Sequence, residues 1–485
     1  MIEKYYDGAI EQVAAGLGTV EKNHLLVRYS GQFSVENLND TKQLEKNEDI
    51  FVQVHEFETG EITCAYEPYL TMICDGFRRY MTGTFEEFME TCDVYYLHRP
   101  VLLGYFNQDN TGREEIILLD EVAYEQERML AALERMLCAI ADRHPVLFVL
   151  NRFQLASKST IQLTARFLKC ENCNIGLVLG VSDIQAMPEF LVPDWEMLYE
   201  TLDDGSKIYH IGNSGRKKEE TIDDEKYVDY GSEKVYRKLQ NMVEFLDFDQ
   251  AAYYLETIER KIKFDNLLVD DAARFRMWLL FVKVSILRQD IPKALEICED
   301  LEKIHLAGKE EECAYEQDYL IATAYMYQGK LKEALEMAGE TYRIAGKMSD
   351  DYRMFLSELL EAKIQMSGWY NIFFCAQDVK IKESLIQNLI RYNYRNHLAH
   401  VYIYAYDNKP EIVKKANQSE ELLIYFSRGI RIAKKLGNEY LINMAYQKNI
   451  MLSSTNGMYE ISLLYSVRTY EALKDKRSIQ AGRIY

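Results

Sequence analysis

The chain has 485 residues, which is enough for two to four domains with cores of their own. Its 77 acidic residues outnumber the 57 basic ones, and the formal charge of −20 argues against direct nucleic-acid binding, because most of the surface repels phosphate. Only 7 prolines and 24 glycines stand beside 48% hydrophobic residues, a composition that excludes a disordered or fibrous protein and favours a helix-rich globular one.

The first part of the chain, residues 1–212, alternates short apolar, β-branched runs with helical patterns. Such alternation is typical of a parallel sheet covered by helices. We therefore predict an α/β domain over this range. Its five predicted strands are residues 24–31, 50–58, 146–151, 175–182 and 207–212.

A charged segment without hydrophobic periodicity, residues 213–231, follows and predicts a linker. From residue 232 to residue 485, amphipathic helical segments succeed one another. They repeat, because Ala251, Ala294 and Ala334 lie in similar helix-opening segments and stand 43 and 40 residues apart. A small residue at this place lets two helices approach closely. We predict an all-α helical-repeat solenoid over residues 232–485.

One copy of the repeat, residues 319–338, resembles the tetratricopeptide repeat. Ala322, Tyr325, Gly329 and Ala334 stand where that repeat has small, aromatic, turn and small residues. The linking segments are longer than in the standard repeat of about 34 residues. The resemblance implies an extended concave surface that binds a protein or peptide partner.

A second resemblance lies in the α/β domain, around the apolar strand 146–150. This strand follows Pro145 and resembles the corresponding strand of the STAND class of signal-transduction NTPases, which are relatives of AAA+ proteins. Later positions that fit the class are Phe153, Gln154, Ala156, Ser159 and Leu163. The resemblance implies a P-loop NTPase-like fold, but Asn151 and Arg152 stand where the class has two acidic residues at the Walker B position.

The resemblance also locates the P-loop between the first two predicted strands. With Gly31 aligned as its first glycine, Glu36, Asn37 and Leu38 occupy the Gly-Lys-Ser/Thr positions. A working loop needs a lysine on the phosphates and a hydroxyl on Mg²⁺. Without them, and without the two acids, phosphoryl transfer loses its charge stabilisation. We therefore predict no catalytic residues, no bound cofactor and no metal site.

Alternatives to the NTPase-like interpretation remain open. The α/β half is also compatible with an unrelated three-layer domain. Nine cysteines are scattered without a disulfide framework, and the pair Cys170 and Cys173 lacks the second pair of a zinc ribbon, so we interpret them as reduced thiols. His397 and His400 have no neighbouring ligand in the sequence and are interpreted as ordinary helix residues.

An aromatic stretch at residues 391–408 suggests a partner-binding surface. Aromatic and arginine side chains can line a groove that grips a peptide, but packing between repeat helices is the favoured alternative. The candidate anchors are Arg391, Arg395, Tyr402, Tyr404 and Tyr406.

Together these features predict a non-catalytic regulatory or scaffold protein with a pseudo-ATPase domain, which acts in a homo-oligomer or hetero-complex. One alternative is a divergent STAND ATPase that acts as a signalling switch. Another is the ligand-sensing part of a transcriptional regulator whose DNA-binding domain lies outside this chain. Because no signal peptide or apolar run of spanning length is present, we expect a cytoplasmic protein with no membrane segment.

Overall fold

The computed structural model divides into two compact units. We call Met1–Arg113 with Glu125–Arg288 the sheet unit, and Glu114–Tyr124 with Gln289–Tyr485 the helical unit. The described residues are 2–18, 24–29, 49–58, 61–109, 112–113, 115–117, 121–170, 174–182, 188–203, 207–211, 229–265, 267–367, 382–407, 419–455 and 459–473. Within this part of the chain, no helix is long and apolar enough to cross a membrane.

The first part of the sheet unit confirms all five predicted strands. In chain order its helices and strands are α1 (Ile2–Gly16), β1 (Leu25–Tyr29), β2 (Phe51–Glu56), α2 (Tyr69–Tyr80), α3 (Phe85–Thr91), α4 (Arg99–Asn107), α5 (Val122–Ala141), β3 (Val146–Asn151), α6 (Lys158–Lys169), β4 (Ile175–Ser182), α7 (Val192–Asp203) and β5 (Lys207–Ile211). The sheet unit contains α5 from Glu125 onward.

These strands form one parallel sheet in the order β2-β3-β4-β1-β5. Every residue of β3 is buried, as a parallel strand covered on both faces requires. On one face, Tyr69 of α2 packs its ring against Phe148 of β3 and Phe167 of α6, with centroids 4.7 and 5.2 Å apart. The predicted α/β fold class with a parallel sheet is therefore confirmed.

Three further helices complete the sheet unit: α8 (Glu233–Glu244), α9 (Phe248–Phe264) and α10 (Asp271–Leu287). The sequence assigned them to the repeat domain, but they belong to the same compact unit as the sheet. Asp247, which caps α9, accepts a hydrogen bond from the Ser159 N–H of α6 at 3.0 Å. Lys238 of α8 donates to Glu61 at 2.7 Å. Hydrophobic periodicity does not reveal polar contacts between residues so far apart in the chain. The predicted domain boundary at residue 232 could therefore not be corrected from the sequence.

The helical unit contains the helices after Gln289, as predicted for the C-terminal part. They are α11 (Ile291–Leu301), α12 (Glu310–Gln328), α13 (Leu331–Lys347), α14 (Asp351–Ser367), α15 (Glu383–Arg391), α16 (Arg395–Asp407), α17 (Ser419–Leu436), α18 (Glu439–Thr455) and α19 (Tyr459–Leu473). Ala294 in α11 and Ala334 in α13, two of the three aligned alanines, are fully buried.

The same turn recurs between helices of this unit. A residue with positive φ follows the helix, and the next N–H donates to a carbonyl five residues earlier, which is the closing bond of a Schellman motif. Gly329 has the positive φ after α12, and Lys330 N–H donates to Tyr325 at 2.9 Å. Ser349, Asn393 and Gly437 repeat this conformation. Only two of these four turns carry the glycine that a sequence search recognises.

Candidate functional site

The carboxyl ends of the parallel strands meet at one edge of the sheet, which is where open α/β folds bind ligands. We call this place the carboxyl edge and define it by Tyr29 of β1, Glu56 of β2, Asn151 and Arg152 after β3, and Ser182 of β4. It is the part of the described sheet unit that a nucleotide site would use.

Asn151 is fully buried at the carboxyl edge and accepts a hydrogen bond from the Tyr29 hydroxyl at 2.7 Å. Tyr29 pairs with Ser182 in the sheet, and β4 lies between β1 and β3, so this bond passes the end of β4. Burial raises the pKa of Tyr29 to about 12, although the Arg152 guanidinium opposes the shift. The hydroxyl therefore stays protonated at neutral pH and remains a donor to Asn151.

Arg152 follows Asn151 in a left-handed backbone conformation with φ 51°. Its guanidinium lies 3.3 Å from a carboxylate oxygen of Glu56, at the end of the neighbouring strand β2. Gln154 accepts a hydrogen bond from the Ser182 N–H at 3.2 Å, which links the ends of β3 and β4. Where a nucleotide enzyme would present two acids to a metal ion, this edge presents a hydrogen-bonded amide and an arginine paired with Glu56.

The predicted P-loop positions Gly31, Glu36, Asn37 and Leu38 lie outside the described residues. Among the residues that are described, no group of three or more His, Cys, Asp or Glu side chains could hold a metal ion. Among the described residues, Tyr29, Asn151, Arg152 and Glu56 form the polar contacts of the carboxyl edge.

A second polar site, unforeseen from the sequence, lies within the helical unit. Glu115 is buried and its carboxylate accepts hydrogen bonds from the N–H groups of Asn396 and His397, at 3.1 and 2.6 Å. These N–H groups belong to the first turn of α16, whose partial positive charge favours a carboxylate. The Nδ1 atom of His397 lies 2.5 Å from the same carboxylate, and burial holds the pKa of His397 well below its usual range.

Glu121 forms the other half of this polar site. Its carboxylate accepts from the side-chain amides of Asn396, at 2.8 Å, and Asn438, at 3.2 Å. Asn438 also caps α18 by accepting from the Leu441 N–H at 3.0 Å. Thus Glu115 and Glu121 bind the N-terminal ends of two helices. The only available sequence signal was the 42-residue spacing of Asn396 and Asn438, and it gave no indication of the two glutamates.

The proposed aromatic anchors divide between the surface and the core. Arg391 and Arg395 are exposed, and Arg391 lies over the Tyr392 ring at 5.2 Å. Tyr402 is 7% exposed and packs in the core formed by α14 to α18, so the packing alternative accounts for it. Tyr404 and Tyr406 lie in α16, but their side chains are outside the described residues.

An exposed apolar stripe runs along α19. One face of this helix packs on α18, where the rings of Tyr446 and Tyr465 lie 5.4 Å apart. Other side chains of the helix remain exposed although they are large and apolar: Tyr459, Ile461, Leu463, Leu464 and Val467. The stripe is continuous because residues 459, 463 and 467 are spaced by one helical turn.

No protein-family model and no curated protein matches this chain. Among solved structures, the chain is similar to the crystal structure of a signal transduction ATPase with numerous domains (STAND) protein with a tetratricopeptide repeat sensor, from Pyrococcus horikoshii. The identity is 10% and the TM-score is 0.45, over 96% of this chain and 82% of the other.

Proposed function

We propose that this chain is a non-catalytic regulatory or scaffold protein, with a pseudo-ATPase sheet unit and a helical unit that binds a protein partner. The carboxyl edge carries the first part of this proposal. A metal-bound triphosphate needs acids to hold Mg²⁺ and to orient water. Asn151 is neutral and already bonded to Tyr29, and the Arg152 cation is neutralised by Glu56. Neither residue supplies the carboxylate that such a site uses.

The pseudo-ATPase proposal predicts that the intact chain neither binds nor hydrolyses ATP. Calorimetric titration with Mg·ATP is expected to show no binding heat, because neither Asn151 nor Arg152 supplies a carboxylate to hold the metal ion. As an independent readout, about 1 mM Mg·ATP is expected to leave the thermal midpoint unchanged, whereas an affinity near 10 μM would add about 2.7 kcal/mol of stability. Micromolar binding, or phosphate release above background, would favour the divergent ATPase instead.

The second part of the proposal concerns partner binding. A contiguous apolar surface costs free energy in water and marks interaction sites on folded proteins. The stripe on α19 has this character, since Leu463 is 65% exposed and Tyr459 is 71% exposed. We propose that a protein surface covers the stripe. A second copy of this chain is the partner that can be tested first.

Light scattering of the intact chain is expected to give a mass above that of the monomer. The double change Leu463→Glu and Leu464→Glu should lower this mass to the monomer value, because two carboxylates cannot be buried against an apolar surface without partners. Leu268→Glu is the matched control, since Leu268 is 94% exposed and lies in the sheet unit. Self-association through α19 would be refuted by a monomeric wild type. It would also be refuted if Leu268→Glu lowered the mass as much as the double variant does.

A further inference from the structure

Two cysteine thiols meet within the sheet unit. The sulfur of Cys138, near the end of α5, lies 3.5 Å from the sulfur of Cys170, which caps the end of α6. Both side chains are partly exposed. A disulfide bond measures about 2.05 Å, so the sulfurs must approach by roughly 1.5 Å to form one. In the sequence Cys170 stands in a CxxC motif with Cys173, and the fold brings Cys170 to Cys138, a thiol 32 residues away.

The register of the two helices explains this meeting. Arg166 of α6 forms ion pairs with Glu134 and Glu127 of α5, at 2.7 and 2.6 Å. Cys138 follows Glu134 by one helical turn, and Cys170 follows Arg166 by one turn, so the thiols are the next pair along the same contact. The Arg166–Glu134 and Cys170–Cys138 pairs both span 32 residues. The ion pairs thus keep the sulfurs opposite each other.

We propose that Cys138 and Cys170 are a reversible oxidative modification site, at which a peroxide forms a disulfide between α5 and α6. The Cys170 thiolate attacks one peroxide oxygen, the O–O bond breaks, and a sulfenic acid and water form. The Cys138 thiolate then attacks the sulfenic sulfur, the S–O bond breaks, and a second water leaves. Two electrons pass from the two sulfurs to the peroxide, and the two thiol protons end in the water molecules.

The environment of Cys138 affects the rate of disulfide formation. Its hydrogen bond with Cys170, burial, and the negative charges of Glu134 and Asp142 all raise the pKa of Cys138. The thiolate of Cys138 is the species that attacks the sulfenic sulfur, so this second step is slow at neutral pH. The site therefore responds to sustained peroxide exposure.

The disulfide would close a loop that contains β3 and the residues Asn151 and Arg152 of the carboxyl edge. Its two ends lie where α5 leads into β3 and α6 leads into β4, at the opposite end of these strands. A crosslink there restricts the unfolded chain. Oxidation is accordingly expected to raise the thermal midpoint of the sheet unit by about 5–10 °C, reversibly.

The test treats the intact chain with hydrogen peroxide, blocks the remaining thiols, and maps unreduced peptides by mass spectrometry. A Cys138–Cys170 crosslinked peptide that has lost the mass of two hydrogen atoms is expected, and a reductant should reverse both the crosslink and the thermal shift. Cys138→Ser and Cys170→Ser should each abolish the crosslink. Cys74→Ser is the control, because Cys74 is buried elsewhere in the sheet unit and should leave the crosslink unchanged.

Three results would overturn the proposal: a disulfide between Cys170 and Cys173, irreversible oxidation of Cys170 without a crosslink, or unchanged Cys138 and Cys170 after exposure that oxidises Cys313, which is also partly exposed. The peptide map of the peroxide-treated wild-type protein distinguishes these results. It does not depend on whether the serine variants fold. Glu134→Gln provides a further check, since loss of the Arg166–Glu134 ion pair should slow crosslink formation.

Discussion

Replacing Glu115 with alanine is expected to destabilise the helical unit by about 3–5 kcal/mol. The wild-type carboxylate accepts from two N–H groups in the first turn of α16 and contacts the His397 ring, and it is 1% exposed. Alanine would leave these donors buried without that acceptor, and water has little access to replace it. The loss of stability is large because the buried N–H groups lose their hydrogen bonds to a charged acceptor and gain no water in exchange.

Urea unfolding followed by circular dichroism measures this change, with the transition of the helical unit analysed separately. Glu336→Ala is the matched control, because Glu336 is exposed in the middle of α13 and its loss should stay within about 0.5 kcal/mol. Glu115→Gln should fall between the two variants, since its amide oxygen still accepts from the helix. If Glu115→Ala costs no more than Glu336→Ala, Glu115 does not anchor α16.

Replacing Gly429 with valine is expected to destabilise the same unit by roughly 3 kcal/mol, because the added atoms have no space. A Cβ atom at Gly429 in α17 would lie 2.8 Å from Ile403 Cγ1 and 3.0 Å from the Ala399 carbonyl oxygen, both in α16. The carbonyl oxygen belongs to a helix backbone and cannot move aside as a side chain can. The two helices must therefore separate.

A pair of alanine variants distinguishes crowding from helix propensity. Gly339 lies in α13, and an added Cβ would meet nothing within 4 Å. Gly339→Ala should stabilise the unit by about 0.5–1 kcal/mol through helix propensity alone. Gly429→Ala should instead destabilise it, although the propensity gain is the same. Thermal unfolding measures both changes in stability. If the two variants change stability in the same direction, the close approach of α16 and α17 is contradicted.

The candidate site at the carboxyl edge was predictable in part. A continuous apolar run predicts a buried strand, so the sequence placed Asn151 and Arg152 at the end of β3. Their partners could not be predicted, because Tyr29 and Glu56 come from strands about one hundred residues earlier. A hydrogen bond across the sheet depends on strand order, which periodicity does not encode.

The sequence by itself determined the five strands, the succession of helices and the Asn151–Arg152 pair at the end of β3, because these depend on residues close to one another in the chain. Only the tertiary structure decided which polar and thiol groups meet. Glu115 lies 282 residues before its partner His397, and Cys138 lies 32 residues before Cys170. It also decided that α8 to α10 belong to the sheet unit. Such contacts follow from the packing of whole elements, which fixes distant side chains together without leaving a local pattern.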